Sequence, residues 1–473
     1  MSDLIKNRSR FALFYGNRTF FPGSLMASAR QETVKILKGL GYETLILDAG
    51  ATQYGAVETV DEGRTYARFL KDNEGRFDGI ILFLPNFGDE NGAVAALRDA
   101  QVPIFVQAYP DELDKMSMET RRDAFCGKLS IMDVFYQNNI KFTALKPHTV
   151  APASKTFAEN IDYFDRVCRI VKEMKHMVVG AIGARTTAFK TVRIDEMALQ
   201  RNGITMETFD FSDIFYRMEK IREDSGSFKD KACLLKDYTD FSIVPADAFK
   251  KITKLAVVLD NIIEQYSLDA IALRCWIEIQ QQLGISACVL LSELNNRYFT
   301  SACEVDVGNA VTMHALRIAS GQVSACLDWN NNYGEDENKC ILFHCGPVPQ
   351  QMMVKKGKVT DHLMLAKSVG AGCSYGCNVG RIKPTPVTLG SMLTEEGKLK
   401  YFIGEGAFTK DPIPEEFFGC AGVANIPKLQ DLLLYLGKNG FRHHVSVTSG
   451  HYMMVLKEAL GYYLGFDVAL PQL

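Results

Sequence analysis

The chain has 473 residues, of which 47% are hydrophobic and 23% are charged, and its formal net charge is −3. A single hydrophobic core stops growing near about 250–300 residues, so two or three domains are expected. A charge this close to zero provides no basic surface for nucleic acid or an anionic membrane. The expected partners are therefore small molecules or further copies of the chain.

The N-terminal segment predicts a first strand rather than an export signal. Its apolar run covers only Phe11–Tyr15, which is shorter than the hydrophobic region of a signal peptide. No apolar run in the sequence reaches the roughly 18 residues that a membrane-spanning helix requires. The 12 cysteines form no repeated C-x-x-C pair, so we interpret them as reduced thiols. These features predict a soluble, cytosolic (cytoplasmic) protein.

Residues 1–170 alternate between short apolar runs and amphipathic stretches, which predicts an N-terminal α/β domain. Continuous apolar strands bounded by glycine, proline and asparagine are typical of a parallel sheet with helices on both faces. Such sheets bind ligands at the carboxyl ends of their strands, and Arg18 follows the first strand. The predicted strands are 11–16, 43–50, 79–85 and 103–109, and the predicted helices are 24–40, 58–73, 89–100, 119–138 and 157–175.

Residues 171–355 predict a central α/β domain, and residues 356–473 predict a C-terminal β-rich domain. In the last domain, glycine, threonine and proline separate short alternating segments, which favours a small antiparallel barrel or sandwich. The predicted fold class is α/β, with two open, mostly parallel sheet domains plus the β-rich domain. The predicted strands are 177–185, 204–210, 270–275, 324–329 and 339–346, and the predicted helices begin at Ser212 or cover 246–267, 427–438 and 451–465.

The segment Cys303–Asn309 holds two acidic residues in an otherwise apolar setting, where an extended segment meets a helix. Buried carboxylates are uncommon unless they are paired, cap a helix or bind a metal. Asp306 has a structural explanation, because an acidic residue in the first helical turn accepts free backbone N–H groups. Glu304 has no such explanation, and periodicity leaves both a functional and a structural role open for it.

Asp328 is the second candidate and lies at the end of the apolar strand 324–329. It enters an asparagine-rich loop that includes Asn330, where α/β enzymes carry site residues. Asn330 is therefore a candidate substrate contact. A turn that begins with aspartate and continues with asparagine explains the same residues without a function. The pattern alone leaves both interpretations open.

Histidines are scarce, with eight in the chain, and His443 and His444 are adjacent. Neighbouring side chains of an extended segment point to opposite faces, so we expect only one of the two to face a given site. His344 lies near the end of the predicted strand 339–346. Since a lone histidine is more often structural than functional, the pattern by itself assigns none of them.

Together these residues resemble the L-fucose isomerase / L-arabinose isomerase family over the whole chain. Residues 14–18 are similar to the N-terminal opening of that family. Glu304 lies in a Glu-Val-Asp segment that resembles the family's Glu-x-Asp motif, whose glutamate binds the metal. Asp328 resembles the second metal carboxylate, and His444 resembles the first histidine of the C-terminal His-x6-His stretch. His344 falls where the arabinose branch has a further histidine ligand.

The resemblance implies an aldose–ketose isomerase that acts through a cis-enediol on a free sugar such as a deoxyhexose or a pentose. Glu304, Asp328 and His444 would bind a divalent cation, and this oxygen-rich ligation suits Mn²⁺ or a similar ion. The two carboxylates would also act as acid and base, in an order that the sequence leaves open. The implied substrate-binding residues are Arg18, Asn330 and His344.

The resemblance also implies a homo-oligomer, expected to be a hexamer, in which the N-terminal domain of one chain covers the site of another. Arg18 would then contact the substrate of a neighbour, with a structural ion pair as the alternative. A second reading of the function is an isomerase of an acidic sugar such as sulfoquinovose, with Arg18, Arg185 or Arg274 at its sulfonate. A third is a non-catalytic sugar-binding protein that holds no metal.

Overall fold

A computed structural model describes residues 8–472, and the chain divides into two compact units. The first unit extends to Lys172 and includes Tyr462–Leu464, and the second comprises Glu173–Gly461 and Gly465–Leu473. The predicted domain boundary at residues 355 and 356 stays a prediction. Among the helices in residues 8–472, none combines the length and the apolar character needed to cross a membrane.

The first unit contains a four-stranded parallel sheet that is covered on both faces. Its strands are β1 (Phe11–Tyr15), β2 (Thr44–Ile46), β3 (Gly79–Leu84) and β4 (Ile104–Ala108), in the order β2-β1-β3-β4. Ala12 and Phe14 pack into one core, whereas Phe11 and Leu13 pack into another. Both faces are buried, as continuous apolar strands predict. The helices of this part of the chain are α1 (Ser24–Gly39), α2 (Val60–Asp72), α3 (Glu90–Leu97), α4 (Ala124–Gln137) and α5 (Lys155–Met174), with a 3₁₀ turn at Gln53–Gly55.

The second unit begins with another four-stranded parallel sheet. Its strands are β5 (Met177–Ile182), β6 (Ile204–Phe209), β7 (Ala270–Leu273) and β8 (Thr300–Cys303), in the order β6-β5-β7-β8. The carboxyl ends of β5, β7 and β8 are therefore neighbours at one edge, where such sheets bind ligands. The helices are α6 (Glu196–Arg201), α7 (Phe211–Lys220), α8 (Gly226–Tyr238), α9 (Ala246–Gln265), α10 (Glu278–Leu283), α11 (Cys288–Asn296) and α12 (Val307–Ser320), with a 3₁₀ turn at Lys190–Val192.

The remaining strands form a nine-stranded sheet that closes on itself. They are β9 (Ser324–Asn332), β10 (Lys339–His344), β11 (Lys358–Thr360), β12 (Cys377–Arg381), β13 (Thr385–Glu395), β14 (Lys398–Phe408), β15 (Cys420–Asn425), β16 (His444–Ser449) and β17 (Asp467–Ala469). Because β15 also pairs with β14, the strands β15-β10-β9-β16-β13-β14 close into an antiparallel barrel. Of the two predicted shapes, the barrel is confirmed.

Apolar side chains from alternate positions fill the barrel, including Leu327, Leu342, Leu389, Phe402 and Val447. Because β9 and β10 belong to this sheet, the strand that carries Asp328 is part of the barrel. The other elements of this region are α13 (Leu363–Val369), α14 (Leu429–Lys438) and α15 (Met453–Leu456), a 3₁₀ turn at Gln350–Met352 and a π-helix at Lys457–Tyr463.

Some predicted boundaries were wrong for local reasons. The strand predicted at 43–50 ends at Ile46, because the Asp48 carboxylate accepts the Gly50 N–H at 2.8 Å and turns the chain. The helix predicted to begin at Ser212 begins at Phe211. Its cap is Asp210, whose carboxylate accepts the Ser212 N–H at 2.7 Å.

Candidate metal and proton-transfer site

Glu304 lies directly after β8, in a turn of unusual backbone geometry. Glu304 and Val305 have positive φ angles of 62° and 56°. Non-glycine residues in such conformations store about 1–3 kcal/mol of strain each and cluster at functional sites. The Val305 N–H donates to the Leu273 carbonyl at 3.2 Å, and the Asp306 N–H donates to the Cys303 carbonyl at 3.0 Å. These bonds hold the strained turn at the carboxyl end of the sheet.

Asp328 and His444 lie opposite each other on the neighbouring barrel strands β9 and β16. His444 Nε2 is 2.8 Å from Glu304 Oε2 and 3.3 Å from Asp328 Oδ1. The His444 side chain is fully buried, whereas those of Glu304 and Asp328 are 14% and 20% exposed. The structure thus brings all three predicted metal ligands together, where the parallel sheet meets the barrel.

Asp306 binds the other nitrogen of the same imidazole. Its Oδ2 accepts a hydrogen bond from His444 Nδ1 at 2.7 Å, and its Oδ1 contacts Arg442 and accepts the Asn309 N–H at 3.0 Å. Burial by itself raises the pKa of Asp306, but Arg442 and His444 hold this pKa well below its usual range. Asp306 therefore caps α12, as the sequence predicts, and also orients His444, which the sequence did not indicate.

Gly308 allows α12 to begin close to the contacts between Asp306, Arg442 and His444. A Cβ atom at this position would lie 2.5 Å from the Met392 carbonyl oxygen and 2.9 Å from Arg442 Nη1. Any side chain here would displace the guanidinium that binds Asp306. Glycine at position 308 is therefore required by close packing.

Several buried polar atoms around His444 lack a hydrogen-bond partner. Asp328 Oδ1, His444 Nε2 and His344 Nε2 are buried and make no hydrogen bond within the part of the chain that the structure describes. The 2.8 Å contact between His444 and Glu304 lacks hydrogen-bond geometry. A buried polar atom without a partner costs about 1–3 kcal/mol. These atoms are therefore available to an external group such as a metal ion or a ligand oxygen.

The carboxylates around His444 favour a positive charge at this imidazole. Burial lowers the pKa of His444, but contacts with Asp306 and Glu304 outweigh this effect and raise it to about 10. One donor atom each from Glu304, His344 and His444 lies within 4.8 Å of the others, and the same holds for Asp328, His443 and His444. Carboxylate oxygens with an imidazole nitrogen suit Mn²⁺ or a similar divalent ion. Each of these two donor sets, which share His444, therefore fits a metal ion.

Trp276 contacts the remaining oxygen of Glu304 and was missed by the sequence reasoning. Its indole Nε1 donates to Glu304 Oε1 at 2.9 Å. Burial raises the pKa of Glu304, but contacts with His444 and this donor lower it below its ordinary value. Phe189 packs edge-on against the indole, with ring centroids 5.6 Å apart. The chain has only two tryptophans, and a tryptophan just after β7 was the one available signal.

His344 presents a hydrogen-bond donor beside His444. Its Nδ1 accepts the Cys345 N–H at 2.8 Å, so the neutral ring carries its proton on Nε2. The ring centroid lies 5.9 Å from that of His444. A protonated Nε2 has no lone pair for a metal, but it can donate to an oxygen atom.

The expectation that only one of the paired histidines faces the site was wrong. His443 Nε2 lies 3.8 Å from Asp328 Oδ1, and the His443 ring lies 4.3 Å from that of His444. The rule of alternating faces does not apply, because β16 begins at His444 and His443 belongs to the preceding loop. His443 is 41% exposed and therefore lines the solvent side of the site.

The structure places the other two predicted substrate contacts in different surroundings. Arg18, in the first unit, forms an ion pair with Glu90 and lies over the Phe87 ring at 4.3 Å. The structural alternative for Arg18 is thus observed, and its contact with substrate stays a prediction. Asn330 is exposed and lines a surface cavity of about 380 Å³, together with Gln430. Among the described residues, those in contact with His444 do not line that cavity.

Two family models match the chain. Residues 12–175 match the N-terminal domain of fucose/sulfoquinovose isomerases, and residues 342–470 match the C-terminal domain of L-fucose isomerase. His344 and His444 fall inside the second match, whereas Glu304 and Asp328 lie between the two matches. The two matches, an N-terminal domain followed by a C-terminal domain, agree with the family that the motifs resemble.

The chain is also similar, at low sequence identity, to curated sulfoquinovose isomerases. The sulfoquinovose isomerase of Alkalicoccus urumqiensis is 22% identical over 397 residues, which cover 82% of this chain and 85% of the relative. The sulfoquinovose isomerase of Priestia megaterium is 20% identical over 331 residues, which cover 69% and 71%. That of Clostridium sp. is 24% identical over 304 residues, which cover 63% and 66%.

The two family models and these relatives agree with a mixed α/β fold that ends in a β-barrel region. The chain therefore belongs to the L-fucose isomerase-like family and is an aldose–ketose isomerase.

Proposed function

We propose that this chain interconverts an acidic aldose, such as sulfoquinovose, and its ketose, using a divalent cation held by Glu304, Asp328 and His444. The observation that carries the proposal is the meeting of two carboxylates with His444 Nε2, at 2.8 and 3.3 Å. The curated relatives support an acidic sugar over the neutral deoxyhexose or pentose that the motifs alone favoured.

The chemistry requires proton transfer between C1 and C2 and between their oxygen atoms. A bound divalent cation would supply the electrophile that stabilises negative charge on the sugar oxygens. Glu304 stays ionised at neutral pH, because its contacts lower its pKa, and it can accept a proton through Oε2. Asp328 offers Oδ1 for the complementary transfer.

Two neighbours of these carboxylates have distinct roles in this proposal. His344 donates its Nε2 proton to a substrate oxygen and is not a metal ligand, because its Nδ1 is occupied by the Cys345 N–H. Asp306 keeps one His444 proton on Nδ1, so a bound cation would displace only the Nε2 proton and take the lone pair of that nitrogen. The proposed metal site therefore has three protein ligands.

The direct test is incubation of the protein with sulfoquinovose, L-fucose and L-arabinose in deuterated water, followed by NMR. We expect ketose formation with deuterium at C1 of the ketose and at C2 of the remaining sulfoquinovose, loss of both after chelation, and recovery with Mn²⁺. The recovered sample is its own control for irreversible damage. If L-fucose or L-arabinose is converted faster than sulfoquinovose, the substrate is a neutral sugar and the proposed acidic substrate is wrong. Unchanged activity after verified metal removal would exclude the metal-dependent mechanism.

Trp276→Phe is expected to lower kcat by about 10- to 100-fold, because it removes a hydrogen bond to a charged carboxylate. The ring volume is largely kept, so KM and thermal stability should change little. Trp329→Phe is the matched control, since Trp329 Nε1 is buried without a hydrogen bond to any described residue. Steady-state kinetics of both variants check this expectation. Equal losses in both would mean that the Glu304 contact has no special role.

The expected hexamer, with Arg18 of one chain at the site of another, stays a prediction from the family resemblance.

A further inference from the structure

A loop that leaves β5 packs against the proposed site. Gly183, with a φ of +81°, begins the loop, which extends to Arg193 and contains the 3₁₀ turn Lys190–Val192. The Thr186 hydroxyl donates to the Trp276 carbonyl at 3.2 Å. We call residues 183–193 the β5 loop.

The middle of the β5 loop contacts side chains of the proposed site. The Phe189 ring lies 5.6 Å from that of Trp276, 5.2 Å from that of His443 and 5.9 Å from that of His444. Trp276 in turn donates to Glu304. The loop therefore forms one wall beside the proposed metal ligands.

The β5 loop carries three cations and no acidic residue. Within residues 8–472, no carboxylate lies within ion-pair distance of Arg185, Lys190 or Arg193. The Arg185 guanidinium donates only to the carbonyls of Thr186 at 3.2 Å and Thr187 at 3.4 Å. These acceptors are neutral, so the positive charge of Arg185 is not compensated.

Three other arginines of the chain are already neutralised by carboxylates. Arg274, which follows β7, forms an ion pair with Glu278, and Arg442 forms one with Asp306. Arg18 is also paired, with Glu90 in the first unit. Of the three arginines that the sequence suggested for a sulfonate, Arg185 alone keeps its charge available.

We propose that Arg185, with the β5 loop around it, is the subsite for an anionic group at the far end of the sugar chain. This inference rests on the proposed function, because the metal ligands must hold the C1–C2 end of the same substrate. A sulfonate is a permanent anion with three acceptor oxygens, and the planar guanidinium can bind two of them side by side. Its present carbonyl acceptors are weak partners that an anion can replace.

The test compares an acidic sugar with a neutral one of the same shape. We expect Arg185→Ala to lower kcat/KM for sulfoquinovose by about 10- to 100-fold, since a hydrogen bond to a charged group is lost. Conversion of 6-deoxyglucose, which lacks the sulfonate, should change by less than about threefold by the same reasoning. Arg185→Lys keeps the positive charge but loses the paired N–H donors of the guanidinium. Its kcat/KM for sulfoquinovose should therefore lie between those of Arg185→Ala and the unaltered protein.

Arg222→Ala is the matched control, because Arg222 is exposed and pairs with Asp224 at 2.6 Å on the surface. Equal losses on both sugars in Arg185→Ala would overturn the subsite, as would full activity on sulfoquinovose. Glucose 6-phosphate and glucuronate identify which anion the subsite prefers, and preference for either would overturn the sulfonate assignment. Failure of the unaltered protein to isomerise any of these sugars would instead refute the proposed function.

Discussion

Glu304→Gln is expected to lower kcat by about 1,000-fold, while the protein still folds and binds metal weakly. Glutamine keeps the size of the side chain and an oxygen that can accept the Trp276 N–H, at present 2.9 Å from Oε1. It removes the negative charge beside His444 Nε2 and cannot take a proton from carbon. Deuterium uptake at C2 and metal content, measured on the same sample, check this expectation.

Glu335→Gln is the control for Glu304→Gln, since Glu335 is exposed in the loop between β9 and β10. It should keep full activity. A Glu304→Gln enzyme with more than about one tenth of normal kcat would remove Glu304 from proton transfer, because acid–base catalysis contributes at least about 100-fold. If the metal content falls while activity at saturating Mn²⁺ is normal, Glu304 acts only as a ligand.

Asp306→Asn is expected to weaken metal binding by about 10- to 100-fold, the usual effect of losing a carboxylate behind a ligating histidine. All four contacts of Asp306 are with donors: the Asn309 N–H, Asn309 Nδ2, Arg442 and His444 Nδ1. An asparagine amide would turn its own N–H groups toward two of these donors. Titration calorimetry with Mn²⁺ measures the change in affinity.

The same substitution should also cost about 3–5 kcal/mol of stability, because it leaves the buried Arg442 without its counter-charge. Asp195→Asn is the matched control. Asp195 also caps a helix, through the Ala198 N–H at 3.1 Å, but it is exposed. It should lose about 1 kcal/mol or less and no metal affinity. Unchanged metal affinity in a folded Asp306→Asn protein would contradict the role assigned to Asp306.

Much of the fold follows from local patterns in the sequence. The apolar runs at β1, β3, β5 and β7 predict parallel strands, because both faces of such strands are buried. Helix α9 was predicted nearly to its ends, since its apolar positions recur with helical spacing over 20 residues. Shorter elements were less predictable. In β2 and α7, a single aspartate decides by its hydrogen bonds where the element begins or ends.

The candidate site was predictable only in part. Glu304, Asp328 and His444 could be named from motifs, although no pattern requires them to meet. Their spacing in sequence says nothing of the register that sets Asp328 opposite His444.

The sequence by itself determined the α/β class, the parallel sheets and the motifs that carry the family resemblance, because these depend on short-range periodicity and residue type. Only the tertiary structure decided that Asp306 binds both Arg442 and His444, which lie 136 and 138 residues further along the chain. It likewise decided that Trp276 binds Glu304 and that Arg185, unlike Arg18 and Arg274, has no acidic partner among the described residues. The physical reason is that hydrogen bonds and ion pairs depend on distances of about 3 Å. Such distances between remote residues are set by strand register and packing.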